Sequence, residues 1–273
     1  MSPRAGRPAP GSGPRPGPLE TSLRSRRDAG HKLLVPYVTG GLGPRWVEVL
    51  EAMAAAGADA VEVGIPFSDP AMDGATIQAA SQRALDLGAT PTAILTALRD
   101  ADVDVPLVAM TYYNVVFRTG HRRFAAALDN SGVAGAIVPD LPLEELEPWS
   151  KAALSEGVET VLLAAPVTPD DRLAIICERS RGFVYGVSVM GITGERSALS
   201  SSAALMGKRL KALTDKPVLI GFGVSTPAQA VEACAEADGV IVASALMRRM
   251  LDGAEPDEIG AAVDEIRAAL DAG

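Results

Sequence analysis

The sequence predicts an α/β protein of the (β/α)8, or TIM-barrel, class: a closed eight-stranded parallel barrel ringed by helices. Eight short apolar runs alternate with amphipathic stretches of helical period between residues 33 and 270, the order that a parallel sheet with crossover helices requires. The chain has 273 residues, 48% of them hydrophobic, which suits one large core in one domain. Two connections, 65–76 after the second run and 189–202 after the sixth, are longer than a compact barrel needs, and long loops at strand C-termini are where barrels build their sites. An open doubly wound sheet is the competing arrangement.

The strands are expected at 33–38, 60–64, 106–111, 135–138, 160–164, 183–187, 217–221 and 239–243. Helices are expected at 45–56, 77–87, 91–99, 122–130, 143–155, 170–178, 203–213, 227–236 and 257–270. Thr90 and Thr226 each precede a proline, the pairing of an N-cap with a first helical residue. Asp170 and Asp171 follow Pro169 and place negative charge in a first turn. Ahead of all this, residues 1–27 are read as a disordered Pro/Gly/Arg-rich tail, because the opening stretch has almost nothing to bury. Residues 28–273 are read as the single barrel domain.

Charge narrows the ligand. Residues 1–27 hold six arginines and one glutamate, +5, so the net −9 of the whole chain leaves −14 on the rest. So acidic a body is unsuited to nucleic acid or an anionic membrane, and an anionic ligand must be met by local groups. No apolar run reaches the length of a membrane span and the N-terminus lacks a signal-peptide core. Cys177 and Cys234 lie in apolar stretches without a CxxC pattern, which reads as buried thiols in a reducing cytoplasm.

Two constellations carry chemistry. Glu62 stands within an apolar strand, and alternation puts it with Gly64 on one face and Val61 with Val63 on the other. A carboxylate desolvated there should have a raised pKa and suit general-acid work. The alternative is a buried ion pair, but no strand core offers a basic partner. Asp69 and Asp73 follow in the loop, and each alone is an ordinary turn residue. One of them, folded back over the mouth, would complete an acid/base pair. The second constellation is small residues at three late strand ends: 191–194, 221–223 and 243–245. Glycines there let backbone N–H groups approach a phosphate, and a short helix from Ser244 would add its dipole. None of the five lysines sits at a strand C-terminus and the two histidines lie outside the strand ends. A Schiff base and a His-rich metal site are thus both disfavoured.

The motif running from Glu62 through Pro66, Asp69, Asp73 and Gly74 to Gln78 closely resembles the signature of tryptophan synthase α subunits. So do 35–39, 112–117, 138–142, 191–194 and 221–225, in family order, and the resemblance runs from about residue 30 to the end. It implies retro-aldol cleavage of indole-3-glycerol phosphate to indole and glyceraldehyde 3-phosphate. Glu62 would protonate the indole ring at C3 and Asp73 would interact with the ring N–H. Tyr185 would line the site near Glu62, while Tyr37, Tyr112 and Phe222 would enclose the indole. Gly194, Gly223, Ala243 and Ser244 fall at the phosphate, and Thr193 in a loop that closes over substrate. No cofactor is implied for this chain; pyridoxal phosphate would belong to a β-subunit partner in an αββα complex. The chain departs from the pattern at 40–43, at Ala71–Met72, at Ala75 and at Ala243. Because the strand-2 loop faces the β subunit in the family, these changes bear on partner coupling. They keep open a stand-alone lyase that releases free indole. A non-catalytic activator of a β subunit is disfavoured by intact Glu62 and Asp73. An indole-3-glycerol-phosphate synthase or a sugar-phosphate epimerase lacks its lysines or histidines here.

Overall fold

A computed structural model describes residues 15–188, 196–221 and 223–273, with backbone alone over 196–201. Eight strands form a closed parallel barrel in chain order: β1 (Leu33–Thr39), β2 (Val61–Gly64), β3 (Leu107–Met110), β4 (Val133–Ile137), β5 (Glu159–Ala164), β6 (Val184–Val187), β7 (Val218–Gly221) and β8 (Gly239–Val242). β8 returns to pair with β1, Leu33 opposite Gly239, so no edge strand remains. The side-chain period of two divides the core. Ala60, Val108, Ile137, Val161, Phe183 and Leu219 point into the barrel, while Val61, Val63, Leu107 and Val184 point out to the helices.

The outer helices are α2 (Trp46–Ala55), α3 (Ala75–Asp86), α4 (Pro91–Asp100), α6 (His121–Asp129), α7 (Leu146–Ser155), α8 (Asp170–Arg179), α9 (Arg196–Lys211), α10 (Pro227–Ala233), α11 (Ser244–Leu251) and α12 (Pro256–Ala272). Thr90 and Thr226 cap α4 and α10 through their hydroxyls, as their sequence context predicts. α9 begins seven residues ahead of the expected 203. One short helix, α5 (Tyr113–Thr119), is not predicted, since Tyr, Val and Phe there read as strand formers. Its first N–H donates to Asp140 Oδ1 at 2.8 Å, a cap supplied from the loop beyond β4.

The N-terminal expectation needs correction. Disorder does not run to residue 27, because Pro18–Asp28 form helix α1 with Leu19 and Leu23 fully buried. The two leucines lie four residues apart on one face and close the N-terminal mouth of the barrel. Leu19 fills space left by two glycines, since a Cβ on either Gly135 or Gly182 would come within 2.6 Å of its Cδ2. At the head of α1, the Glu159 carboxylate accepts hydrogen bonds from Gly17, Leu19 and Glu20 N–H groups at 3.1, 2.7 and 3.2 Å. A buried anion at a helix N-terminus is a favourable placement. Residues 1–14 lie outside the described residues. Among the described residues no helix is long and apolar enough to cross a membrane, and Cys177 and Cys234 are buried free thiols.

Leu19→Ala should cost about 2–5 kcal/mol through the cavity it opens between the two glycines. Urea unfolding monitored by circular dichroism measures this loss, and an unchanged midpoint would mean that α1 does not close the barrel.

Candidate active site

The site begins with a buried carboxyl that lacks a partner. β1 and β3 flank Glu62, with Tyr37 and Val108 in register beside it, so its side chain points up the barrel axis. It is 1% exposed. Its Oε2 has no hydrogen-bond partner and it makes no ion pair among the described residues, so the ion-pair alternative does not hold. Desolvation, and then the negative charge of Asp73, push its pKa up to about 8. Asp59, three residues earlier, shows the opposite solution. That equally buried carboxylate is held by Arg26 at 2.8 Å, by Arg267 at 3.3 Å and by the Leu34 N–H at 2.8 Å.

Asp73 reaches the mouth on the loop after β2. Its N–H donates to the Pro70 carbonyl at 3.1 Å, and its own carbonyl accepts from Gln78 Nε2 at 2.8 Å. Behind the loop, the Tyr112 hydroxyl accepts the Met72 N–H at 3.0 Å and its ring stacks on Phe67 at 5.1 Å. Burial raises the Asp73 carboxyl to about 6, against the pull of the neighbouring Tyr112 phenol. Asp69 is exposed and accepts from the adjacent Ser68 hydroxyl at 2.6 Å, which makes it the turn residue of the two.

Two phenols flank Glu62, and both owe their positions to glycine. A Cβ on Gly64 would lie 1.8 Å from the Tyr37 hydroxyl, and one on Gly221 would lie 2.2 Å from that of Tyr185. Strand-end glycine is therefore a requirement of space at these two places. The Thr39 hydroxyl donates to Tyr37 at 3.3 Å. Burial holds both phenols far above the ordinary tyrosine range, so they stay neutral.

These groups share a cavity of about 440 Å³ whose walls include Tyr37, Glu62, Asp73 and Tyr185 at one end and Gly223, Ala243 and Ser244 at the other. That volume suits a bicyclic ring with a short phosphorylated chain. Gly223 has φ +84°, a left-handed conformation that glycine favours. Ala243 is the N-cap of α11 and offers no side-chain acceptor, so the first turn of this helix faces the cavity with its amides and its dipole.

The wall also includes Ile77, Met110, Ile241 and Arg248, which the strand-and-loop pattern does not single out. Met110 and Ile241 lie on strands, where an apolar lining residue looks like any core residue. Arg248 stands four residues after Ser244 on the same helix face, a spacing that could have marked it. Tyr112 braces the Asp73 loop through its hydroxyl. Thr193, Gly194 and Phe222 lie outside the described residues.

Comparison with known proteins identifies the family and the fold. The family model for the tryptophan synthase alpha chain matches residues 23–270. A tryptophan synthase alpha chain from a Picosynechococcus species is 42% identical over 248 residues, 89% of this chain and 94% of that one. The corresponding chain of Streptomyces coelicolor is 42% identical over 255 residues, 92% and 93% respectively. Among solved structures, a Mycobacterium tuberculosis tryptophan synthase chain superposes with a TM-score of 0.85 at 37% identity, covering 94% of this chain and 99% of that one. Tryptophan synthase subunit alpha from Legionella pneumophila superposes with a TM-score of 0.84 at 29% identity, covering 94% and 99%. The family model over residues 23–270, relatives 42% identical along most of their length and the shared barrel place this chain in the tryptophan synthase alpha chain family.

Proposed function

We propose that Glu62 and Asp73 are the acid/base pair of this chain and that the cavity between β2 and α11 holds its substrate. As a member of its family the chain is a carbon–carbon lyase of tryptophan biosynthesis, cleaving indole-3-glycerol phosphate to indole and glyceraldehyde 3-phosphate. The observation that carries the assignment is the buried, unpartnered carboxyl of Glu62, protonated near neutral pH, facing a second carboxylate that is ionised there.

The chemistry follows from those protonation states. Glu62 gives its proton to C3 of the indole ring as Asp73 accepts hydrogen-bond density from the ring N–H. The ring is then an electron sink. The substrate hydroxyl on the carbon attached to C3 gives its proton to the Glu62 carboxylate, which restores the acid, and becomes the aldehyde oxygen. The C–C bond breaks and its electron pair returns to the ring, whose N–H stays hydrogen-bonded to Asp73. No oxidant, water or cofactor enters the balance. Tyr37 and Tyr185 border the ring, while the amides at Gly223, Ala243 and Ser244 hold the phosphate. Tyr112 sets the Asp73 loop.

The partner is a pyridoxal-phosphate β subunit in an αββα heterotetramer in the cytoplasm. Support comes from the exposed apolar side chains beside the mouth: Met72 is 51% and Phe117 66% exposed. The altered residues 40–43 and 71–72 lie on the same side of the barrel and favour a second reading, a lyase that releases indole unaided.

Glu62→Gln should lower kcat by at least about 100-fold while leaving ligand binding intact, and Asp73→Asn should also be severely impaired. Near-normal turnover in either variant removes that residue from the pair. A carboxyl whose folded pKa is raised takes up protons on folding, so it lowers stability as pH climbs from its unfolded value toward about 8. Glu62→Gln should therefore raise Tm more at pH 8 than at pH 5, a comparison that calorimetry makes directly. With an acid near 8 and a base near 6, kcat/KM should be bell-shaped, falling above and below that window; a flat profile from pH 5 to 9 contradicts the pair. Indole release should be slow for the chain alone and strongly accelerated by a cognate β subunit. Fast release indifferent to β would establish the unaided lyase instead.

A further inference from the structure

The substrate carries a phosphate into a cavity that already holds two carboxyl groups, in a chain of net charge −9. Backbone amides and the helix dipole attract the phosphate, and a cation on the same wall adds net positive charge to that attraction. Among the described residues on the cavity wall there is one cation, Arg248. It lies on α11 four residues beyond Ser244, on the same face. Helical side chains lean toward the N-terminus, so a residue covers the turn before its own Cα. The guanidinium is thus carried back over the first turn of α11, where Ser244 and the helix dipole face the cavity.

Its partners leave it available. Arg248 makes no ion pair among the described residues, and its one described hydrogen bond is a long one, Nη2 donating to the Thr76 hydroxyl at 3.3 Å. By contrast, Arg45, Arg172, Arg209 and Arg267 are each committed to carboxylates. Guanidinium is a planar fork suited to two phosphate oxygens at once, and a contact with a neutral threonine is readily exchanged for that stronger one.

We propose that Arg248 is a further substrate-binding residue, a cation that swings from Thr76 onto the phosphate and sets the preference for a phosphorylated substrate. This deepens the phosphate-site reading given above and rests on it. The residue is remote from the reacting bond, so it contributes to binding and leaves the chemical step to Glu62 and Asp73.

The test compares wild type with Arg248→Gln, Arg248→Lys and Thr76→Val, measuring KM and kcat for indole-3-glycerol phosphate. The inhibition constant of indole-3-glycerol, its phosphate-free counterpart, is measured in parallel. Arg248→Gln should raise KM about tenfold or more, with kcat within about threefold and the phosphate-free inhibitor unaffected. Arg248→Lys should recover part of that loss. Raising ionic strength should increase the wild-type KM and barely move that of Arg248→Gln, because the interaction is a partly exposed charge pair. An unchanged KM, or an equal weakening of both ligands, would overturn the proposal. So would Thr76→Val reproducing the full effect, which would reduce Arg248 to a tie between α11 and α3. If wild type itself leaves indole-3-glycerol phosphate uncleaved, the site assignment fails, and the Arg248 proposal is read from the dissociation constant of that ligand, which Arg248→Gln should raise about tenfold and which, if unchanged, overturns it.

Discussion

The desolvated carboxyl of Glu62 is the constraint around which the rest of the structure is arranged. An ionised carboxylate taken out of water without a partner is costly enough that the group stays protonated instead. The barrel enforces this condition on every side. β1 and β3 exclude water laterally, α1 and the apolar layer beneath exclude it from below, and two neutral phenols stand alongside. Asp59 shows that the same strand region can hold a buried carboxylate as a well-paired anion. The difference is position: Asp59 precedes β2 at the closed end, within reach of two arginines, whereas Glu62 faces the open end, where no cation among the described residues pairs with it.

The second carboxyl is placed differently, and its role follows from that. Asp73 rides on a loop braced by Gln78 and by the Tyr112–Phe67 stack, more solvated than Glu62 and with a correspondingly lower pKa. Two carboxyl groups in one field separate into an acid and a base because one is immersed in the protein and the other sits at its surface. At the opposite wall the helix terminus of α11 and its guanidinium present positive potential. The cavity is therefore polarised along its length, and a ligand with an aromatic end and an anionic end can enter in one orientation.

The two ends of the barrel divide the work. At the N-terminal end, the Glu159 carboxylate heads α1 and the Asp59 carboxylate binds two arginines and the Leu34 N–H, so both buried carboxylates are satisfied. At the C-terminal end the Glu62 carboxyl is left without a partner, and phenols crowd against glycines. Stability is concentrated where no ligand binds, and the arrangement at the mouth depends on it.

The eight strands were legible in the sequence because each is a short apolar run, and the period of two set Glu62 on the face opposite Val61 and Val63. Asp73 was legible only through its motif, since Asp-Gly is equally a plain turn; in the folded loop it lines the cavity while Asp69 is exposed. Helix α1 escaped notice because two leucines in an arginine-rich stretch offer little to bury until the barrel supplies a hole shaped by Gly135 and Gly182. α5 escaped for a similar reason, as its cap comes from Asp140, across the chain. Tyr112 reads as a ring-lining residue and in the fold braces the Asp73 loop, and Arg248 reads as a surface charge until α11 is set against α3 at the cavity wall. Local pattern determines which residues are apolar and at what period. Which polar group is left without a partner depends on groups distant in sequence, and only the tertiary structure decides that.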